Sequence, residues 1–153
     1  MPNLCDNVAI FSHEDEAMME KLIQAAEKNE LLHSFVPAKN EEDEEKWFEW
    51  VYEHWGTKNE VDITGVKYEG KMIQIMFESA WSPPIKFYYA MMEKGFQVKA
   101  AYIEVDMLLV GQFINGVHDH FDLCFEKYIH LPEFILSCYK EYIENYKEFI
   151  GIK

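Results

Sequence analysis

Ala80-Trp81-Ser82-Pro83-Pro84 is the stretch whose reading decides the fold. An apolar run, Met72 to Glu78, leads into it, with Ile73, Ile75 and Phe77 at the alternate positions of a strand. A helical pattern leaves it: Ile85, Tyr88, Tyr89 and Met92 recur at i, i+3, i+4 and i+7. Ser82 ahead of two prolines predicts a helix start, its oxygen accepting from a free N–H of the first turn. Proline is suited to that turn because its missing N–H would have no helix partner there. Gly95 marks the end of the helix. Trp81, where the strand stops, is read as a ring closing one end of the core; a ligand-stacking face is the other reading.

Before this corner, Val61, Ile63, Val66 and Tyr68 suggest a strand, with Gly65 weakening it or marking a bulge. Glu69-Gly70-Lys71 turns it into the Met72 strand, giving a hairpin. Asn7 to Phe11 reads as a first strand. Ser12, with Asp15 three residues on, predicts a capped helix from about His13 to Lys28. Leu31 to Pro37 reads as an extended link. A second helix follows an acidic start, with Trp47, Trp50, Val51 and Trp55 on one broad face.

Beyond the corner, Phe96, Val98, Ala100 and Tyr102 alternate as a strand, and Asp106 marks a turn. Leu108 to Ile114 leads to Asn115-Gly116, a strong short hairpin signal, so Val117 to Phe125 is expected to pair back. Pro132 opens a last helix with Ile135, Tyr139, Tyr142, Tyr146 and Phe149 along one seam, to dock on the domain or on a second copy.

With residues 30–58 set aside, the order is βαββαβ. That predicts an α+β chain: a ferredoxin-like antiparallel sheet with two helices on one face. Residues 1–153 then form a single domain, with a helical insertion over about 30–58 and a C-terminal hairpin and helix extension over about 109–153.

The charge limits the partners. There are 28 acidic and 14 basic residues, a formal net charge of −14. Direct binding of nucleic acid or of an anionic membrane needs a basic footprint and is disfavoured. A basic protein or a nucleic-acid-handling complex suits the balance as a partner, as does plain solvation. The acidic run Glu41, Glu42, Asp43, Glu44 and Glu45, continued by Glu49 and Glu53, is the strongest single-sign surface in the chain. Its first carboxylates also favour the positive end of a helix dipole. Cys5, Cys124 and Cys138 are scattered and odd in number, as expected of reduced thiols in the cytoplasm. No apolar run approaches the roughly 18 residues that span a bilayer, and the N-terminus lacks a basic signal region.

Several elements together resemble the YubB-like ferredoxin-like domain family of phage and plasmid proteins. They are Met1-Pro2-Asn3 with Cys5 and Asn7, Trp55-Gly56-Thr57-Lys58, Ala80-Trp81-Ser82-Pro83-Pro84, Tyr102-Ile103-Glu104 and Gly111. The resemblance spans about residues 1–111. Asn59 stands where the family often has Trp, and Val105-Asp106-Met107-Leu108 replaces a Gly-x-x-Phe element. The resemblance implies the fold and a mobile-element origin and brings no enzymatic activity with it.

Trp55, Lys58, Trp81 and Glu104 are the residues these elements single out. They are read as a partly buried Lys58–Glu104 ion pair covered by two indoles, or as a small binding cleft. Losing one partner of such a pair would cost about 3–5 kcal/mol. His118 and His120 share a strand face, with Cys124 further along and His54 and His130 elsewhere in the chain; they are weak metal candidates, since zinc wants three or four converging ligands. Pro2 would become an N-terminal amine if Met1 were removed. No phosphate loop, dinucleotide fingerprint, G-x-S-x-G or H-E-x-x-H is present. The leading expectation is a non-enzymatic accessory protein without cofactor. Its acidic surface would bind a basic host protein, with an anti-defence (anti-CRISPR-like or DNA-mimic) inhibitor as the specific form expected and a homodimer through the last helix as a further expectation. The alternative is a small-ligand- or metal-dependent activity at Trp55, Lys58, Trp81 and Glu104.

Overall fold

Cys5, Asn7, Ala9 and Phe11 are buried, and the residues between them are not. This two-residue period is that of a strand whose faces are covered differently. The strand is β1 (Leu4–Ser12) of a computed structural model that describes residues 3–38, 42–104, 106–123 and 130–149, with backbone alone for 146–149. It lies inside a six-stranded antiparallel sheet with β2 (Asp62–Glu69), β3 (Met72–Ala80), β4 (Gln97–Glu104), β5 (Leu109–Ile114) and β6 (Val117–Asp122). The strand order is β2-β3-β1-β4-β5-β6. Five helices are described: α1 (Glu16–Glu27), α2 (Leu31–Phe35), α3 (Glu44–His54), α4 (Ile85–Glu93) and α5 (Glu133–Phe149). The class is therefore α+β, and the sheet has six strands where βαββαβ alone would supply four.

The two faces have separate cores. On one, Ala9, Phe11, Ile75, Phe77, Val98 and Phe113 pack against Leu22 of α1, Phe35 of α2, Val51 of α3 and Phe87, Tyr88 and Met91 of α4. Phe11 meets Phe87, Tyr88 and Phe96 at centroid distances of 6.3 to 6.5 Å. On the other, Ala101, Ile103 and Val110 pack against Leu131 and against Ile135, Tyr139 and Ile143 of α5. Ala100 and Ala101 belong to opposite cores, so the chain places α5 behind the sheet from α1 and α4. The last helix thus spends its apolar seam on its own sheet. The Tyr139 hydroxyl reaches the Asp6 carbonyl at 2.9 Å and the Ala101 carbonyl at 3.2 Å, and α5 departs from helical geometry at this residue (φ −128°, ψ 24°). The seam residues Tyr146 and Phe149 have side chains outside the described set.

Local expectations are corrected in two places. Asp15, not Ser12, caps α1, its carboxylate accepting from the Ala17 N–H at 2.9 Å, so the helix starts at Glu16. Leu31 to Phe35 is helical, because the Glu60 carboxylate accepts from the Leu32 and His33 N–H groups, each at 2.8 Å. That cap comes from 28 residues away and leaves no local signal. Pairing of β6 is described to Asp122; Cys124 and Phe125 lie outside the described residues. Two other expected features form. Register shifts between Ile63 and Gly65, and Asn115 (φ 44°) and Gly116 (φ 99°) both turn left-handed, as a tight hairpin requires.

Asp62, Glu78 and Asp6 pair in one row across β2, β3 and β1. Like charges directly opposite weaken a sheet. Burial, and then the Glu78 carboxylate, hold the Asp6 carboxyl above its ordinary value of 3.8. The native state keeps that proton more readily than the unfolded chain, so the contribution is fully present below pH 3.8 and is lost as pH rises through the raised value. Asp6→Asn is expected to raise the neutral-pH melting temperature by roughly 1–3 °C, with the gain vanishing below about pH 3.8. Melting curves of both chains across this range check it.

Candidate functional site

Trp55-Gly56-Thr57-Lys58 and Ala80-Trp81-Ser82-Pro83-Pro84 are two halves of one hydrogen-bonded corner. The Thr57 hydroxyl donates to the Ala80 carbonyl at 2.8 Å, and the Ser82 hydroxyl donates to the Gly56 carbonyl at 2.6 Å. The Phe87 N–H donates to the Trp55 carbonyl at 3.2 Å. The Ser79 hydroxyl donates to the Ser82 carbonyl at 2.8 Å, and the Trp81 N–H donates to the Asn3 carbonyl at 2.7 Å. Ser82 therefore does not accept from the first helical turn. Pro84 holds the cap position of α4 without a side-chain bond.

The four motif side chains do not converge. Trp55 is buried, its indole N–H donating to the Val36 carbonyl at 2.9 Å, with Trp47 and Trp50 edge-on to it. Trp81 does not close the core: it is 49% exposed and sits at φ +73°. A left-handed backbone costs a non-glycine residue about 1–2 kcal/mol, which the surrounding hydrogen bonds hold in place. The Lys58 ammonium lies over Phe48 (5.2 Å to the centroid) and Trp81 (5.9 Å). Among the described residues it forms no ion pair with Glu104. The register gives the reason: Ser79 and Glu104 flank Cys5 from opposite sides, so β1 runs between the corner and Glu104.

Glu104 belongs to a different group. Tyr102 lies opposite Gly111, which lies opposite His120, so the Tyr102 ring covers a position without a side chain. The Tyr102 hydroxyl and His118 Nε2 are 2.8 Å apart, and the His118 and His120 ring centroids are 5.9 Å apart. Burial and then the charge of His120 push His118 below its ordinary 6.5, against Asp119. Burial raises Glu104, opposed by His120. Next to this group the interior is polar. Buried Asn7 donates to the Ser79 hydroxyl at 2.9 Å and to the Cys5 carbonyl at 3.0 Å. Burial, then Glu104, push the Cys5 thiol far above its usual range, which makes it a poor nucleophile. Among the described residues no three His, Cys, Asp or Glu side chains converge as metal ligands. His54 is on α3, with Nδ1 2.9 Å from the Trp50 carbonyl; Pro2 and Cys124 lie outside the described residues.

The acidic side chains keep to the surface. Glu42, Asp43, Glu44, Glu45, Glu49 and Glu53 are exposed along α3 and its start, and Asp43 also caps the helix by accepting from the Glu45 and Lys46 N–H groups. Glu41 lies outside the described residues. A groove of about 1040 Å³ runs between α1 and the β2–β3 turn, lined by Met19, Glu20, Ile23, Tyr68 and Met72 among others. It opens at the far end of β3 from the corner, and its lining includes none of the site residues expected from the sequence. No described helix is long and apolar enough to cross a membrane. No family model, curated protein or solved structure matches the chain.

Two sets of substitutions separate these roles. Thr57→Val and Ser82→Ala are each expected to cost about 1–2 kcal/mol in denaturant unfolding. Trp81→Gly should change stability by less than about 1 kcal/mol, since relief of the left-handed backbone offsets the lost cover. Gly111→Ala puts a methyl group into the Tyr102 ring and should cost about 1–3 kcal/mol. It should also free His118 from its phenol and move its titration upward, a shift that NMR of the imidazole protons reads directly.

Proposed function

We propose that the chain is a non-enzymatic accessory protein that binds a basic protein partner through the carboxylates of α3, with Trp81 as an apolar anchor at their edge. The observation that carries this reading is the exposure of Glu42, Asp43, Glu44, Glu45, Glu49 and Glu53 on and beside one short helix. Trp81, Tyr52 and Leu4 are large apolar side chains at 49%, 44% and 49% exposure. An aromatic anchor beside charged residues is a common form of protein-binding surface, the aromatic giving affinity and the charges giving on-rate and selectivity.

We infer further that β1–α1–β2–β3–α4–β4 is a ferredoxin-like plait carrying the α2–α3 insertion, with β5, β6 and α5 appended. The local strand order β2-β3-β1-β4 supports this. The resemblance to the YubB-like family supports a mobile-element origin, and the scattered, odd-numbered cysteines support a cytoplasmic setting. In that setting the partner is a host nucleic-acid-handling or defence complex, and the carboxylates occupy the basic groove where phosphates would otherwise lie.

Capture from host lysate tests the reading when it is repeated at low and high salt and in the presence of duplex DNA. Capture should fade with salt and with added DNA. The combined Glu44→Lys, Glu45→Lys and Glu49→Lys variant, and separately Trp81→Ala, should each lower it about tenfold or more. Capture that ignores both salt and charge reversal overturns the proposal.

A further inference from the structure

Strand β2 is an edge of the sheet. An edge strand turns a row of N–H and C=O groups away from its neighbour. At the entry to β2 one side chain stands in for the missing strand. The Asn29 carboxamide, just beyond α1, accepts from the Ile63 N–H at 2.8 Å and donates to the Val61 carbonyl at 3.0 Å. Further along, the edge is open. Gly70 (φ 60°) and Lys71 form a two-residue turn that closes on the pair Glu69 and Met72. Lys67 and Glu69 therefore direct their N–H and C=O groups to β3, and Val66 and Tyr68 direct theirs outward. Among the described residues no backbone group pairs with these two on that side. Tyr68 lies opposite Ile73, and both line the groove of about 1040 Å³ beside α1. Tyr68 is 60% exposed. The wall from α1 brings Met19 and Ile23 with the exposed carboxylates Glu16 and Glu20. Glu14 adds a third carboxylate to the lining, against the single lysine Lys71.

We propose that Val66 to Glu69 is a docking edge for an extended segment of a partner protein with arginine or lysine at every second position, added antiparallel to β2. The outward N–H and C=O groups of Val66 and Tyr68 supply the ladder for such a strand. A residue paired with Tyr68 has its side chain on the same face, the groove side. A long cationic side chain there covers the Tyr68 ring with its apolar stem and carries its charge toward the wall of Glu16 and Glu20. The residues between the cations meet Lys67 and Glu69, a face of mixed sign that suits small polar side chains. Asn29 sets the limit of the edge, because it already occupies the outward N–H of Ile63. A second copy of this chain is the poorer occupant, since two chains of net charge −14 repel each other.

Amide NMR and hydrogen exchange on the wild-type chain test this with acetylated and amidated heptapeptides. One alternates arginine and threonine, one holds the same residues with the arginines in a single block, and one alternates glutamate and threonine. The alternating cationic peptide should shift the Val66, Tyr68 and Ile23 signals saturably and slow exchange of the Val66 and Tyr68 N–H groups about tenfold or more. The block peptide should bind about tenfold more weakly, and the glutamate peptide should not bind. Methylating the backbone nitrogens of the arginines should abolish binding, and methylating those of the threonines should leave it, because only the arginine N–H groups face β2. Glu16→Lys combined with Glu20→Lys should weaken binding about tenfold. If that variant fails to fold, the methylation comparison in the wild type decides alone. Equal binding of the alternating and block peptides, indifference to the position of methylation, or no saturable shift at millimolar concentration overturns the edge. Protection of Val66 and Tyr68 that rises with protein concentration alone assigns the edge to a second copy and also overturns the proposal. The α3 charge-reversed variant should bind the alternating peptide as the wild type does, so this edge and the α3 surface fail separately.

Discussion

The interaction on which the rest depends is the pair of hydroxyl-to-carbonyl bonds that joins the start of α4 to the end of α3. Ser82 reaches Gly56 and Thr57 reaches Ala80, so each segment satisfies a carbonyl of the other. Buried carbonyls must find partners, and here neither helix supplies them. The exchange fixes where β3 stops and where the insertion returns to the sheet. It also gives a structural reason why the two tryptophan-containing motifs belong together: they are the two sides of a joint.

From that joint the molecule divides by strand parity. Odd positions of β1 face α1 and α4, and Val8 faces the α5 side. A single-residue slip would exchange the two cores, so the double cover enforces register. The same parity gathers the polar residues at one end of the first core. Asn7, Ser79, Tyr102 and Glu104 share a face with Cys5, and buried Asn7 is satisfied there by Ser79.

Much of the strand and helix order was legible because its signals are local. The alternation of Ile73, Ile75 and Phe77 and the Asn115-Gly116 turn each lie within a few residues. Even the histidine placement follows from that turn by counting outward from Ile114 and Val117 to Gly111 opposite His120. What was not legible depends on distant partners. Helix α2 is capped by Glu60, which no local pattern announces. The grouping of Lys58 with Glu104 failed because nearness in a motif list ignores the strand that separates them. Glu104 lies instead between Cys5 and Leu109 in the sheet. The exposure of Trp81 was hidden because an indole at a strand end reads as core, and only its left-handed backbone turns it outward.

Tyr139 and the Asp6 carbonyl are 133 positions apart, and their contact fastens the last helix to the first strand. As the chain emerges from a ribosome, β1, β3 and β4 are complete long before α5 exists. Until α5 is made, Ala101, Ile103 and Val110 lack the cover of Ile135, Tyr139 and Ile143. The nascent protein therefore carries a period of stickiness built into its topology, one that ends only when the kinked helix arrives to cover it.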